Sequence, residues 1–363
     1  MEGDLHELTL SLTDRVTGFI PKPSTFLGGI INVYGSTGSG KTTTMQEIAS
    51  LLRKNVYEAR LICPSEPDNG NFYGRIARTS VTFDMDSKHL ESVFKNIYEQ
   101  QQARMKQYDA VNALKNLKII YNKIRTTTTD KIINKLQTER DKMIKECISR
   151  GEHAEKKPLK EQFQEMIKAV ITTEITKNRE RLRAMPLNKN ERLLVDNYDM
   201  KPDFLLIIDD CTETVNEFQK KKIFKQMIYK ARQLRITILL GVHSYPELGT
   251  KLRQQARLSI FCNPQASKHF FGNTTVKVEK VYSANADSIM KHIFCTKKLL
   301  GYQKYRMVYD QTDGVAPLKF YPCNATPAKK VAKHSKYWKL DKALKLSHKV
   351  SDLGEAFGKE SKK

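Results

Sequence analysis

Residues Gly35–Thr42 read GSTGSGKT and fit GxxxxGK[ST] at every fixed position. Gly35, Gly38 and Gly40 allow the backbone to fold tightly and turn its N–H groups inward around a β-phosphate. Lys41 is long enough to reach the β and γ oxygens, and the Thr42 hydroxyl suits a Mg²⁺ ligand. Ser36, Thr37 and Ser39 complete the loop, and the helix expected from Thr43 adds its positive dipole end. A glycine-rich turn can arise by chance, but here the loop follows an apolar strand (GGIINVY) and opens a helix (TTTMQEI). ATP with Mg²⁺ is the expected ligand pair.

A second run, FLLIIDD at Phe204–Asp210, brings two carboxylates to the end of a buried strand. Asp209 is the expected metal-side acid, and Asp210 the expected group that orients or deprotonates an attacking water. Neighbours on a strand point to opposite faces, so both can serve only if the backbone turns there. The alternative is a pair of solvated acids capping a strand. A third apolar run, ITILLGVHS, ends at His243 and Ser244. His243 is read either as a γ-phosphate sensor or water-positioning group, or as a hydrogen-bonded residue at a strand end. Arg253 and Arg257 follow one helical turn apart, each a candidate arginine finger for a neighbour's phosphate or a surface or DNA-facing charge.

These residues require a scaffold of strands. Continuous apolar runs alternating with helices predict an α/β fold, a P-loop NTPase with a mainly parallel sheet flanked by helices. Residues 1–27 read as a lead-in, in which the prolines of FIPKPSTF rule out regular structure. The ATPase domain is expected over 28–323. A helical insertion at about 86–184, poor in glycine and proline, interrupts it, with a break near Gly151 and Pro158. It reads as a solvated, salt-bridged arm or as a contact for DNA or a neighbouring subunit. Residues 324–363 form a basic C-terminal tail carrying the chain's one tryptophan, Trp338.

The chain's 363 residues carry a formal net charge of +23, which calls for a polyanionic partner. No apolar run approaches the roughly 20 residues of a membrane span, and the acidic start MEGD is unlike a secretory signal, so nucleic acid is the expected partner. The six cysteines are widely and irregularly spaced and form no CxxC pair, which fits reduced thiols in an intracellular compartment. His292 and Cys295 form the nearest approach to a metal pair and lack a second pair to complete it.

The segments VYGSTGSGKTTT, ARLICPSEP, FLLIIDDCTE and ARQLRITILLGVHSYPELGTKLRQQARLSIF resemble, in this order, viral genome-packaging ATPases. These are the poxvirus-type branch of the FtsK/HerA superfamily, shared by large DNA viruses, virophages and polinton-like elements. The resemblance covers about half the chain. It implies that Lys41 and Thr42 are nucleotide and metal ligands, that Asp209 and Asp210 are the Walker B acids, and that Arg253 is the arginine after the sensor strand. The family usually has glutamine where this chain has His243, and its core lacks the helical insertion. The resemblance implies a homo-oligomeric ring, pentamer or hexamer, that pumps double-stranded DNA into a preformed capsid. A capsid or vertex protein is then a partner, and the site of action is the host cell (cytoplasm or nucleus) or the virion. The readings kept beside it are a helicase or other replication ATPase, and a non-catalytic basic DNA-binding scaffold.

Overall fold

The structure is a computed structural model that describes residues 16–65, 73, 81–82, 85–273, 278–294, 298–299, 302–303 and 305–322. Its strands are β1 (Thr17–Gly18), β2 (Gly29–Tyr34), β3 (Glu58–Ile62), β4 (Val81–Thr82), β5 (Phe204–Ile208) and β6 (Ile236–Val242). They continue with β7 (Ala256–Phe261), β8 (Lys298–Leu299), β9 (Tyr302–Gln303), β10 (Tyr305–Asp310) and β11 (Leu318–Pro322). The helices are α1 (Pro23–Phe26), α2 (Lys41–Leu52), α3 (Ser87–Val111), α4 (Leu114–Asn122), α5 (Thr127–Ser149), α6 (Lys156–Lys177) and α7 (Arg179–Ala184). After these come α8 (Lys189–Asn197), α9 (Thr212–Phe218), α10 (Lys222–Lys230), α11 (Thr250–Gln255), α12 (Pro264–Phe271), α13 (Lys280–Ala284) and α14 (Ala286–Phe294).

Among the described residues, those up to Gln102 and from Pro202 onward form one compact unit. Its sheet runs in the order β1-β11-β10-β7-β2-β6-β5-β3-β4. Every neighbouring pair is parallel except the two made by β10, so one strand alone runs against the rest. β5 and β6 are buried at every residue, as central parallel strands covered on both faces must be. Ile31, Val33, Leu205, Ile207 and Leu239 pack with Met45, Ile48, Ala49 and Leu52 of α2 in one apolar cluster. At the start of β6 the Arg235 guanidinium grips Asp203 with two hydrogen bonds of 3.0 and 2.9 Å, tying the entries of β5 and β6 together.

Ala103–Lys201 form the second compact unit among the described residues. Ile167, Ile171 and Ile175, one helical turn apart on α6, pack in a cluster with Leu117, Ile120 and Leu182. The helical run breaks between Ser149 and Lys156, with Gly151 at φ +75°, while Pro158 lies in the first turn of α6. Thr126 caps α5, and Asn188 with Glu191 forms a capping box on α8. No helix of the described residues is long and apolar enough to cross a membrane.

The expectation that prolines exclude regular structure from the lead-in needs correction. Pro23 opens α1 at its first position, where the missing N–H costs nothing and the fixed φ favours the helix. Thr17–Gly18 pair with β11, and the Phe19 N–H donates to the Phe320 carbonyl at 2.7 Å. The β10–β11 pair also extends the sheet beyond the strands that the sequence patterns identified. Cys323, Cys295 (and with it the His292–Cys295 pair), Trp338 and the tail 324–363 lie outside the described residues.

Leu239 is fully buried in the middle of the sheet. Leu239→Ala is expected to destabilise the protein by about 2–5 kcal/mol, read as a lower denaturant midpoint in equilibrium unfolding.

Candidate nucleotide site

The sheet order sets the site. β6 lies between β2, which leads into the glycine loop, and β5, which ends at the two aspartates, with β3 on the far side of β5. All four run the same way, so their carboxyl ends deliver the loop, Asp209–Asp210, His243 and Cys63–Ser65 to one edge. Ligands of open α/β sheets bind at that edge.

The loop leaves β2 with the Gly35 N–H donating to the Val242 carbonyl at 3.0 Å, and turns where the Ser39 N–H reaches the Ser36 carbonyl at 3.1 Å. Gly38 (φ +74°) and Gly40 (φ +84°) occupy the left-handed region that side chains resist. α2 then begins at Lys41. The loop is held from behind. The Thr44 hydroxyl donates to the Gly40 carbonyl at 3.0 Å and accepts from Arg306 Nε at 2.9 Å, and Arg306 Nη1 donates to the Cys262 carbonyl at 3.4 Å. Arg306 lies on β10 and is fully buried. From β7's end, Asn263 Nδ2 donates to Ser36 Oγ at 2.7 Å.

Asp209 is the hub, 3% exposed. Lys41 Nζ lies 3.6 Å from its Oδ1. Thr42 Oγ1 donates to Oδ2 at 3.1 Å, and Tyr73 OH donates to the same oxygen at 2.8 Å. Burying a carboxylate requires such partners, because the charge loses its water. The Asp210 N–H also donates to Asp209 Oδ1 at 3.0 Å. Asp210 has φ +58°, a conformation that costs a non-glycine residue energy and concentrates at functional sites. This turn answers the strand-alternation problem: both aspartates line the same cavity. Asp210 Oδ2 accepts from Ser65 Oγ at 2.7 Å, and His243 Nε2 stands 3.6 Å from its Oδ1. Beside them, burial, with further contributions from Cys63 and the two aspartates, pushes the Cys211 thiol well above its ordinary range, so it stays a neutral thiol.

The cavity measures about 340 Å³. Ser36, Thr37, Gly38, Gly40, Lys41, Thr42, Thr43, Asp209, Asp210 and His243 line it, together with Cys63, Ser65 and Tyr73. Gly35 and Ser39 are not among its lining residues. A side chain on Gly35 would run into Ser39 and Cys262, so glycine there lets the loop close. Thr43 also lines a neighbouring cavity of about 490 Å³ that includes Phe26 and Tyr321. Thr42 and Asp209 present hard oxygen donors side by side, the donor type that Mg²⁺ takes from protein when phosphates complete its shell.

Neither arginine lines its own chain's cavity. The Arg253 guanidinium sits 5.2 Å from the centre of the Tyr245 ring and reaches Thr250 Oγ1 at 3.5 Å. Arg257 Nη1 donates to the Leu27 carbonyl at 2.8 Å, at the opposite end of β2. Sequence reasoning missed Ser65, Tyr73, Asn263 and Arg306. Ser65 could have been found, because it follows the apolar run ARLIC at the edge where ligands bind. Arg306 and Asn263 come from distant strands and carry no local signal.

The mainly parallel sheet, with the glycine loop on β2 and the acid pair on β5, defines an α/β protein of the P-loop class. No family model matches the chain. It is 25% identical over 320 residues to "Uncharacterized protein B354L" of African swine fever virus (a warthog isolate from Namibia), covering 84% of this chain and 85% of that one. The same viral protein from a Kenyan pig isolate is 25% identical over 293 residues, 77% of this chain and 78% of the relative. Among solved structures, similar chains include B204, the DNA-packaging ATPase of Sulfolobus turreted icosahedral virus, with 11% identity, TM-score 0.41 and coverage of 80% and 96%. The pCW3 conjugation coupling protein TcpA with ATPγS is similar at 11% identity and TM-score 0.38, covering 85% of this chain and 65% of that one.

A methyl group on Gly241, opposite Asp209 on β6, would collide with Asp209 Oδ1 and the Met45 sulfur. Gly241→Ala is therefore expected to displace the carboxylate and weaken Mg²⁺-dependent binding of a fluorescent ATP analogue by about 10- to 100-fold, the scale seen when the support of a metal-ligating group is disturbed.

Proposed function

We propose that this protein is an ATP-driven translocase of double-stranded DNA that packages a viral genome into a preformed capsid, working as a homo-oligomeric ring. The observation that carries the catalytic part is the convergence of Lys41 and Thr42 on buried Asp209 beside a strained, outward-turned Asp210.

In this reading the loop amides and Lys41 hold the β- and γ-phosphates and stabilise the charge that spreads over the γ-phosphoryl oxygens. Thr42 and Asp209 would hold Mg²⁺, which supplies further charge neutralisation when bound. Asp210 orients a water in line with the γ-phosphorus and takes its proton as the bond to the β-phosphate oxygen breaks, leaving ADP and phosphate. Ser65 and His243 aim that carboxylate, and in this reading His243 also senses the γ-phosphate. Arg253, which lies outside its own chain's cavity, is offered to a neighbouring subunit's phosphate. DNA as the track is supported by the net charge of +23, which suits a grip on phosphates that ignores sequence. Packaging is supported by the order of the motifs and by a viral relative that matches most of the chain.

Hydrolysis by the purified chain is expected to rise with linear duplex DNA and to fall by about 100-fold or more in Lys41→Ala, from loss of a transition-state charge contact. Strand separation during turnover would favour a helicase instead. Hydrolysis indifferent to duplex would defeat the translocase reading.

A further inference from the structure

At the edge of the sheet opposite the phosphate loop, β2, β6 and β7 begin. The six residues of β2 separate the two edges by about 20 Å of extended chain. A cavity of about 620 Å³ opens there, against the starts of β2 and β7 and the end of α10. Its lining contains two arginines, Arg232 and Arg257, three glutamines, Gln254, Gln255 and Gln311, and a tyrosine, but no aspartate or glutamate among the described residues. Gly28 and Gly29 leave part of its floor as bare backbone.

These groups are arranged for an anion. The Arg257 guanidinium is fixed by its bond to the Leu27 carbonyl, and Gln311 is fixed by donating to the Arg253 carbonyl at 3.0 Å. Arg232, Gln254 and Gln255 are exposed, and Tyr229 is 53% exposed, an unusual setting for a large aromatic side chain. Guanidinium, amide and phenol groups are donors that proteins direct at phosphodiester oxygens, contacts that position the nucleic acid without reading its sequence. These exposed side chains can meet a polymer segment, and the net charge of +23 favours a polyanion over an isolated small anion.

We infer that this cavity is a docking site for the phosphodiester backbone of nucleic acid, with Arg232 and Arg257 as the phosphate contacts and Tyr229 packing against the sugar-phosphate chain. The inference rests on the DNA-translocase reading and gives its track a location. The site lies at the far ends of the strands that carry the loop and His243, so β2 and β6 join the nucleotide edge directly to the DNA edge.

The test is fluorescence anisotropy of the full chain with a labelled duplex of about 30 base pairs over a salt series, for wild type, Arg232→Gln, Gln255→Glu and Tyr229→Ala; the length is set by the roughly 100 Å it spans. A thermal melt with and without ATP, which reads the phosphate loop at the other edge, identifies any variant that has misfolded. Arg232→Gln is expected to weaken duplex binding by about tenfold and to shrink the slope of log K against log salt by about one, the signature of a lost phosphate contact. Gln255→Glu should weaken it further by placing a carboxylate against phosphate. Wild-type binding with unchanged affinity and slope in all three folded variants overturns this site and leaves the translocase reading standing. Absence of duplex binding by the wild type overturns both. Loss of polyglutamate binding in the variants, with duplex binding intact, overturns the inference in favour of an acidic protein partner.

Discussion

The buried carboxylate of Asp209 is the interaction on which the site depends. It holds Lys41 and Thr42 from the start of α2 and Tyr73 from a third segment, while its own backbone continues β5. A charge so buried is tolerable only while those partners remain, so it ties the glycine loop, the β5 strand end and Tyr73 into one arrangement. Gly241 leaves the space that this carboxylate fills. Asp210, next in the chain, escapes the strand's alternation only because its backbone turns to positive φ, and Ser65 and His243 then hold it facing the cavity. The energetic cost of that turn is borne by the packed strands on either side.

The loop depends equally on support from behind. Thr44 connects the Gly40 carbonyl to Arg306, which reaches from β10, the one reversed strand of the sheet. A cation buried there places positive charge behind the glycine loop. It also links the antiparallel end of the sheet to the edge that carries the glycine loop, so β10 and β11 contribute more than width. Tyr34, Tyr245, Phe261 and Phe270 form an aromatic cluster over the same region, with ring centroids 5.0–5.9 Å apart, Tyr34 stacked on Phe261 and the other pairs tilted or edge-on. Burial pushes the Tyr245 phenol up to about 12, so it remains neutral under the Arg253 guanidinium.

The parallel sheet gives the protein two chemically different edges. At the carboxyl ends, acids meet a lysine and a glycine loop. At the amino ends of β2 and β7, a cavity is lined by arginines, glutamines and glycine backbone, with no acid among its described residues. β2 and β6 are common to both, are hydrogen-bonded along their length, and have buried residues on both faces. A rigid strand pair of this kind can transmit a displacement from one edge to the other, since packed interiors deform little.

Local patterns in the sequence were enough to locate the glycine loop, the acid-ended strand and the run that stops at His243. Each is a contiguous segment whose function-bearing atoms follow directly from strand, turn or helix geometry. The α/β class was legible for the same reason, because central parallel strands are apolar on both faces and read as continuous runs. Proline-based reasoning failed at Pro23, where position within the helix mattered more than the residue type. Tertiary structure alone decided which segments meet. The order of β2, β6, β5 and β3 brings Ser65 to Asp210, and β10's reversal puts Arg306 under Thr44, across 262 residues of chain. Tyr73 joins Asp209 across 136 residues. Such pairings depend on the register and sequence of strands in a sheet, which are settled by packing over the whole core and leave no trace in the spacing of residues along the chain.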